Sequence, residues 1–186
     1  GTLWSKNGVE VGRGEARFLA DRRLSVATGE GPLEIEFEQA VIATGSRPLE
    51  LPGFPYDGVR IIGSTEALSL QAVPQRLVVI GAGYIGLELG SVYAKLGSQV
   101  AVVEFLPRVA PNLDPEVGKA LTRRLKKLGI TLHLEHRAEA FEAGEPTVVV
   151  ARGPAGEALR LEADLVMVTV GRLPNTENLG LEAAGV

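Results

Sequence analysis

The sequence predicts an α/β fold: helices flanking a parallel sheet, together with an antiparallel β-meander, all preceded by a small β-rich region. Three observations predict it. A buried apolar run, Leu77 to Ile80, leads at once into the glycine motif GAGYIG and then into a helical pattern. A second apolar run ends in an acid, Glu104. Before residue 45, short apolar runs separated by glycine, proline and charged residues are typical of antiparallel strands.

The central βαβ unit has each of its parts in the expected order. Its motif reads GxGxxG, in which Gly81 permits a tight turn, Gly83 lets the backbone approach a pyrophosphate, and Gly86 lets the helix pack on the strand. Helical apolar spacing continues to Gly97, which is typical of a helix end. This pattern predicts a Rossmann-like domain that binds a dinucleotide. The alternative is an ordinary glycine-rich turn in another α/β protein.

Two acids in this unit bear on which ligand binds. The carboxylate of Glu104, at the end of the second strand, suits a ribose diol and repels a 2′-phosphate, so we expect NAD rather than NADP. Arg108, a few residues later, carries a charge that would weaken this preference. Glu88 follows the third glycine; it complements the helix dipole, pairs with a lysine or faces a nicotinamide ring, and the sequence alone favours the first of these.

Composition excludes several other classes of function. The chain has 186 residues, 45% of them hydrophobic, and a net charge of -4 with a pI near 5.3, which argues against nucleic acid as a partner. No apolar run approaches the roughly 18 residues of a membrane helix, and no signal pattern opens the chain, so we expect a cytoplasmic protein without a membrane partner. Without cysteine there is no disulfide, thiolate nucleophile or thiolate metal site.

The part before the central unit predicts a meander. Gly1 to Ser5 resembles the last turn of a helix closed by Asn7 and Gly8, and because the chain has no initiator methionine we expect a piece of a longer protein. The predicted strands are Val9 to Val11, Ala16 to Leu19, Leu24 to Ala27, Leu33 to Phe37 and Ala40 to Ala43. The last of them leads into Thr44, Gly45 and Ser46, small residues that either lie against a ligand or form a simple exit turn, which spacing alone favours.

The part after residue 60 predicts the remaining helices and strands. Ser64 and Thr65 cap a short helix through about Leu70, and Asp114 caps a second helix that has Pro115 at its first position. The predicted strands are Thr131 to Leu134 and Leu165 to Val170 in the parallel sheet, and Thr147 to Ala151 with Ala158 to Leu161 as an antiparallel hairpin. At the end of the last parallel strand, Gly171 either clears space for a nicotinamide or ribose or forms a plain turn.

No catalytic residue and no metal site is predicted. The two histidines, His133 and His136, have the wrong spacing for two ligands on one helix face, so we interpret both as structural or solvent-facing. No serine lies in a GxSxG motif.

Several longer segments resemble one family. GAGYIGLELG at 81 to 90, with VVE at 102 to 104 and VTVGRLPNT at 168 to 176, is similar to the flavoprotein disulfide reductases, and within them to the lipoamide dehydrogenases. So are NGVEVGRGEARF at 7 to 18, VIATGSRP at 41 to 48 and NLGLEAAGV at 178 to 186. Glutathione reductases, similar in layout, prefer NADP and carry basic residues beyond the second strand. Mercuric reductase and related NADH-using members remain alternatives.

The resemblance implies two cofactors and their contact residues. It implies that NAD lies against Gly81, Ala82, Gly83, Tyr84, Ile85, Gly86, Leu87, Glu88, Glu104, Ala138 and Gly171. Glu88 then lies beside the nicotinamide, where the family pairs it with a lysine. It further implies that FAD lies against Ala16, Thr44, Gly45 and Ser46, which replaces the exit-turn interpretation of that segment. The resulting domains are 1–70, the last part of an FAD-binding domain, and 71–186, the NAD-binding domain.

The family also has parts that this sequence lacks. Its FAD-binding GxGxxG and redox cysteine pair come earlier, and its GD flavin motif and His-Glu pair come later. The resemblance therefore implies the middle of an enzyme that oxidises dihydrolipoamide through a disulfide and FAD and reduces NAD. That enzyme is a homodimer and serves lipoyl domains of 2-oxo acid dehydrogenase or glycine cleavage complexes. We expect the chain alone to bind NAD(H) without turnover; an independent NAD-binding module without catalysis is the alternative.

Overall fold

The computed structural model describes residues 2–186, apart from the side chain of Thr2. The described chain forms two compact units, one containing residues up to Ser46 with Pro174–Val186, the other Arg47–Leu173. Within the described part, no helix combines the length and apolar character needed to span a membrane. These are units of packing, and the assignment of 1–70 and 71–186 to two cofactor domains stays a prediction.

The first unit is built on the predicted meander. After α1 (Thr2–Lys6), the strands β1 (Glu15–Ala20), β2 (Arg23–Thr28) and β3 (Gly31–Glu36) form an antiparallel sheet in the order β1-β2-β3. Gly1, which the predicted helix turn includes, lies outside the described residues. The C-terminal segment returns to β1, where the Phe18 N–H donates to the Leu179 carbonyl at 2.7 Å. A 3-10 helix, Leu181–Ala184, completes the unit.

Two predicted strands of this unit are wrong. Val9 to Val11 and Ala40 to Ala43 have no strand structure, and the one strand near the second run is Ser46–Pro48. Val41 is 93% exposed. Apolar residues alone do not make a strand, because the backbone also needs a neighbouring strand as hydrogen-bond partner, and neither run is paired with one in the described chain.

The second unit holds a five-stranded parallel sheet. From residue 46 onward the elements are, in chain order, β4 (Ser46–Pro48), β5 (Ile61–Ile62), α2 (Ser64–Ala67), β6 (Arg76–Ile80), α3 (Tyr84–Leu96), β7 (Gln99–Val103), α4 (Pro115–Lys127), β8 (Thr131–His133), β9 (Arg137–Glu142), β10 (Thr147–Arg152), β11 (Ala158–Ala163), β12 (Leu165–Val168) and β13 (Arg172–Pro174). The parallel sheet has the order β5-β12-β6-β7-β8, which confirms the α/β class and the Rossmann-like arrangement.

The parallel sheet is covered on both faces. On one face, Leu87 and Tyr93 of α3 and Leu125 of α4 pack with Leu77 and Val79. Successive residues of a strand point to opposite faces, so the alternate residues of β6 face the other side. Burial on both faces explains why β6 is apolar throughout rather than alternating.

An antiparallel sheet covers that other face. It has the order β11-β10-β9, and its residues Val149, Ala151 and Ala163 pack with Val78 and Ile80 of β6. The predicted hairpin of β10 and β11 is therefore confirmed as part of a three-stranded meander. The sequence analysis missed β9 and the edge strand β5. The RAEAFE sequence of β9 has no β-branched residue, and β5 has two residues only.

The helix ends follow their caps, with one correction. Asp114 caps α4 as predicted, since its Oδ1 accepts from the Glu116 N–H at 2.8 Å. Gly97 ends α3 in the left-handed region at φ 108°. The predicted short helix α2 is present, but its cap and its end differ from the prediction. The N-cap residue is Gly63, whose N–H donates to Glu66 Oε2 at 2.9 Å, and the helix ends at Ala67 rather than near Leu70.

Candidate dinucleotide-binding site

The glycine turn between β6 and α3 is held by close contacts that exclude side chains. Gly81 has φ 101°, and a Cβ added to it would lie 2.7 Å from the Thr169 carbonyl oxygen. A Cβ on Gly86 would lie 2.4 Å from the Gly81 oxygen and 2.4 Å from the Thr169 hydroxyl oxygen. At Gly83, by contrast, an added Cβ would meet nothing within 4 Å. The first and third glycines are thus required by the protein itself, whereas the second leaves open space.

That open space lies at the N-terminus of α3. Gly83 is the N-cap residue, with extended backbone, and the Leu87 N–H makes the first intrahelical bond to its carbonyl at 3.0 Å. The N–H groups of the preceding turn have no acceptor inside the helix. Together with the positive end of the helix dipole, these donors make a site suited to a pyrophosphate. Tyr84, in this first turn, is 68% exposed.

Glu104 connects the second strand to the glycine turn. It is only 9% exposed, its Oε2 accepts from the Ala82 N–H at 2.6 Å, and its Oε1 accepts from the Leu106 N–H at 2.8 Å. An ionised carboxylate has about four acceptor positions, so each oxygen keeps capacity for one further donor. The two backbone bonds fix the carboxylate in place while leaving it able to accept from a ribose diol. The residues present therefore fit a dinucleotide.

A cleft of about 360 Å³ opens beside Glu104. It lies at the carboxyl ends of the parallel strands, where open α/β sheets bind their ligands. The residues that line it are Leu51, Ile80, Gly81, Val103, Glu104, Phe105, Leu106, His136, Arg137, Ala138 and Val170. The structure thus brings together three of the predicted site residues, namely Gly81, Glu104 and Ala138.

Of the eleven lining residues, the sequence analysis missed eight, and three of these have an aromatic or basic side chain. Phe105 directly follows Glu104, while His136 and Arg137 lie near the start of β9. The guanidinium carbon of Arg137 lies 4.6 Å from the centroid of the Phe105 ring. A signal did exist: His136 and Arg137 follow β8 closely, and residues after parallel strands gather at one edge of the sheet.

The two histidines interact with each other at this edge. Their rings meet edge to face with centroids 5.7 Å apart, and both residues are half-buried. His136 Nδ1 lies 2.6 Å from the Leu134 carbonyl, which only accepts, so Nδ1 carries the proton. Burial, and then the charge of His136, lower the pKa of His133. His136 thus belongs to the cleft wall and is not simply solvent-facing. Among residues 2–186, no group of three His, Asp or Glu is arranged to hold a metal ion.

Two other predicted site residues lie away from this cleft. Glu88 is exposed in the second turn of α3 and does not line the cavity. Gly171 has φ 149°, and a Cβ there would lie 3.7 Å from Leu49, so its surroundings are open. It directly follows the lining residue Val170. Neither Glu88 nor Gly171 lines the cleft that contains Glu104.

The residues predicted to contact FAD lie in the first unit. Ala16 and Thr44 line an apolar cavity of about 140 Å³, whereas Gly45 and Ser46 do not. The Thr44 hydroxyl donates to the Asn175 carbonyl at 2.6 Å, and the Asn175 N–H donates to the Gly45 carbonyl at 3.0 Å. Ligand pockets for whole cofactors are usually several hundred Å³. This cavity is therefore too small to enclose a whole cofactor, and contact of these residues with FAD stays a prediction.

Comparison with protein families matches residues 2–186 to the family described as pyridine nucleotide-disulphide oxidoreductase. The chain is 46% identical over 187 residues to dihydrolipoyl dehydrogenase 3 of Pseudomonas aeruginosa, covering 99% of this chain and 40% of that protein. It is 42% identical over 184 residues to dihydrolipoyl dehydrogenase of Geobacillus stearothermophilus, covering 99% of this chain and 39% of that protein. The chain thus spans about two fifths of the length of these curated relatives.

Solved structures give the same result. LpdA from Mycobacterium tuberculosis superposes with a TM-score of 0.78 at 30% identity, over 96% of this chain and 39% of that one. A copper(II) complex of the HOCl-induced flavoprotein disulfide reductase RclA from Escherichia coli superposes with a TM-score of 0.77 at 30% identity, over 100% and 43%. The ferredoxin reductase for the CYP199A2 system of Rhodopseudomonas palustris gives 0.74 at 30% identity, over 99% and 46%.

Proposed function

Because this chain belongs to the pyridine nucleotide-disulphide oxidoreductase family, we propose that it is the NAD-binding part of a dihydrolipoyl dehydrogenase. The observation that carries the proposal is the position of Glu104. This buried carboxylate ends β7, is bonded to the glycine turn through the Ala82 N–H, and lines the cleft together with Gly81 and Ala138. The similarity to two dihydrolipoyl dehydrogenases at more than two fifths identity supports the choice of branch.

In this proposal each segment holds one part of the dinucleotide. The N–H groups at the start of α3 bind the pyrophosphate, and Glu104 accepts from the hydroxyls of the adenosine ribose. Ala138 provides a small apolar surface in the wall of the same cleft. Gly171 and Glu88 lie toward the nicotinamide. The full set of proposed NAD contacts is Gly81, Ala82, Gly83, Tyr84, Ile85, Gly86, Leu87, Glu88, Glu104, Ala138 and Gly171.

The first unit contributes the proposed contacts to FAD. We assign Ala16, Thr44, Gly45 and Ser46 to contact with FAD, and residues 1–70 to the end of an FAD-binding domain, with 71–186 as the NAD-binding domain. FAD and NAD supply the hydride chemistry when bound. The residues of this chain contribute binding and orientation, and their glycine turn lets the backbone come close to the dinucleotide.

The activity proposed for the whole protein is oxidation of dihydrolipoamide through a redox disulfide and FAD, with reduction of NAD. The proposed partners are the lipoyl domains of 2-oxo acid dehydrogenase or glycine cleavage complexes. The whole enzyme is proposed to be a homodimer in the cytoplasm. The 186-residue chain contains no cysteine. We therefore expect it to show no lipoamide-dependent NADH formation, although it should still bind NADH. An absorbance assay at 340 nm with dihydrolipoamide and NAD would detect such NADH formation.

The test of the NAD site is a fluorescence titration with NADH and with NADPH. We expect NADH to bind more tightly, because the carboxylate of Glu104 repels a 2′-phosphate. Glu104→Gln keeps the size of the side chain and one acceptor oxygen, but it removes the charge and one of the two backbone hydrogen bonds. It should therefore reduce the preference for NADH over NADPH by about tenfold. Glu36→Gln, which removes an exposed carboxylate in β3, is the matched control. A wild-type preference for NADPH, or a preference that Glu104→Gln leaves unchanged, would contradict the proposal.

A further inference from the structure

The cleft that contains Glu104 is also lined by an arginine that has no role in the site described so far. Arg137 begins β9 and lines the cleft between His136 and Ala138. Phe105 lines it from the segment after β7, and the residue is 58% exposed. The Arg137 guanidinium carbon lies 4.6 Å from the centroid of this ring. A cation stacked on an aromatic face therefore connects two separate segments of the cleft wall.

The direction of the dinucleotide follows from the proposed function. If the pyrophosphate lies at the N-terminus of α3 and Glu104 binds the adenosine ribose, the base is attached to the far side of that ribose. The adenine ring then extends past Glu104 along the cleft. Several lining residues adjoin Glu104: Phe105 and Leu106 follow it directly, and the His136 N–H donates to the Glu104 carbonyl at 2.9 Å. Arg137 and Ala138, which also line the cleft, follow His136.

The chemistry of Arg137 fits a flat base better than it fits a phosphate alone. A guanidinium is planar, weakly hydrated and able to stack on an aromatic face while its edge donates hydrogen bonds. The ring of Phe105 already holds it in such a stack, which reduces the freedom that the side chain would lose on binding a ligand. A lysine at this position would supply the same charge but no planar surface.

We propose that Arg137, held over the Phe105 ring, stacks on the adenine ring of the bound dinucleotide. The inference deepens the proposed function and rests on it. Arg137 is then a binding residue for the adenine half, and Phe105 positions it. The chain recognises a purine ring by this contact and the ribose by Glu104, and the two contacts are separable by substitution.

The test is a calorimetric titration with NADH, NADPH and ADP-ribose, which contains the adenine half without nicotinamide. We expect Arg137→Ala to weaken the binding of NADH and of ADP-ribose by the same factor, about fivefold. Arg137→Lys should weaken both nearly as much, because it keeps the charge and loses the planar surface. Phe105→Leu, which keeps an apolar side chain but removes the ring, should weaken both by about twofold.

The control is Arg124→Ala, which removes one exposed positive charge from α4 and should leave all three affinities unchanged. Binding by Arg137→Lys that equals the wild type would overturn the proposal, since charge alone would then suffice. Equal affinities of Arg137→Ala and Arg124→Ala would also overturn it. So would an Arg137→Ala protein whose affinity falls for NADPH alone. Wild-type protein that binds neither NADH nor ADP-ribose would refute the proposed function as well. Binding that depends on Glu104 but not on Arg137 would refute only this inference.

Discussion

The two compact units differ in where their apolar side chains lie. In the second unit, β6 and β12 are buried along most of their length, and both faces of the parallel sheet are covered. In the first unit every residue of β3 is exposed, and among the described residues of that unit Val26 is the one buried hydrophobic residue. The second unit is therefore stabilised by apolar burial. The first depends mainly on backbone hydrogen bonds of its ladder.

One aromatic pair in each unit offers a direct test of this difference. Phe54 is fully buried 6.0 Å from the Phe141 ring, whereas Phe18 is half-buried 5.9 Å from the Phe37 ring. We expect Phe54→Ala to lower the free energy of unfolding of its unit by about 3–5 kcal/mol. Phe18→Ala should cost about 1–2 kcal/mol in its own unit.

Hydrogen exchange in increasing urea, followed by mass spectrometry, measures these two changes separately. Peptides from β6 and β12 report on the second unit, and peptides from β1 and β2 report on the first. Equal losses for the two substitutions would contradict the difference in burial.

A pair of glycines sharpens the comparison at the level of the backbone. Gly81 and Gly31 both have positive φ, at 101° and 121°, but an added Cβ meets the Thr169 oxygen at 2.7 Å only at Gly81. Gly31→Ala carries only the backbone strain, so it should cost about 1 kcal/mol. Gly81→Ala adds a collision and should cost about 2–4 kcal/mol. Chemical denaturation measures both, and a Gly81→Ala protein as stable as Gly31→Ala would mean that the turn relaxes freely.

An ion pair makes the stability of the second unit depend on pH. Arg76 Nη2 lies 2.6 Å from Asp164 Oδ1, and the Arg76 N–H donates to Asp164 Oδ2 at 2.8 Å. The Arg76 side chain lowers the pKa of Asp164. A lowered folded-state pKa gives stability that is present above the unfolded value and lost as pH falls through the folded value.

We therefore expect the urea midpoint of the second unit to fall below about pH 4. Asp164→Asn should remove part of that fall while lowering the midpoint at pH 7. The test is to measure the urea midpoint of both proteins between pH 7 and pH 2. If the wild-type midpoint falls with pH no more steeply than that of Asp164→Asn, then Asp164 does not make the stability depend on pH.

The smallest effect is expected at an exposed pair of the first unit. Arg23 Nη1 and Glu34 Oε2 are 3.8 Å apart, and both side chains are about half exposed. Exposed pairs of this kind contribute little, so Glu34→Gln should change the free energy of unfolding by less than about 0.5 kcal/mol. A larger loss in thermal or urea unfolding would show that the first unit relies on this contact more than its exposure indicates.

Local signals explain which parts of the fold were predictable. The glycine motif, the cap of α4 at Asp114 and the left-handed end of α3 at Gly97 each depend on a few consecutive residues, and all three are present in the structure. Ala40 to Ala43 failed because a strand also needs a pairing partner, which the local sequence does not specify.

The candidate site was predictable in part for the same reason. Glu104 follows from its place after the second strand, and the structure puts it in the cleft. The part of the cleft wall that β9 forms was missed because this strand has little apolar character. The contact between Arg137 and Phe105 joins residues that are distant in sequence, so no periodic pattern predicts it.

The order of the parallel sheet has a consequence for folding during synthesis. Strand β5 precedes β6 in the chain, yet β12 lies between them, with Val166 paired to Ile61 on one side and to Val78 on the other. Until the ribosome has made residue 168, both β5 and β6 keep an open edge, and the gap between them is filled last. Such long-range closure slows folding and leaves strand edges exposed to neighbouring chains meanwhile. Late closure makes the nascent chain a candidate for chaperone binding until β12 is inserted.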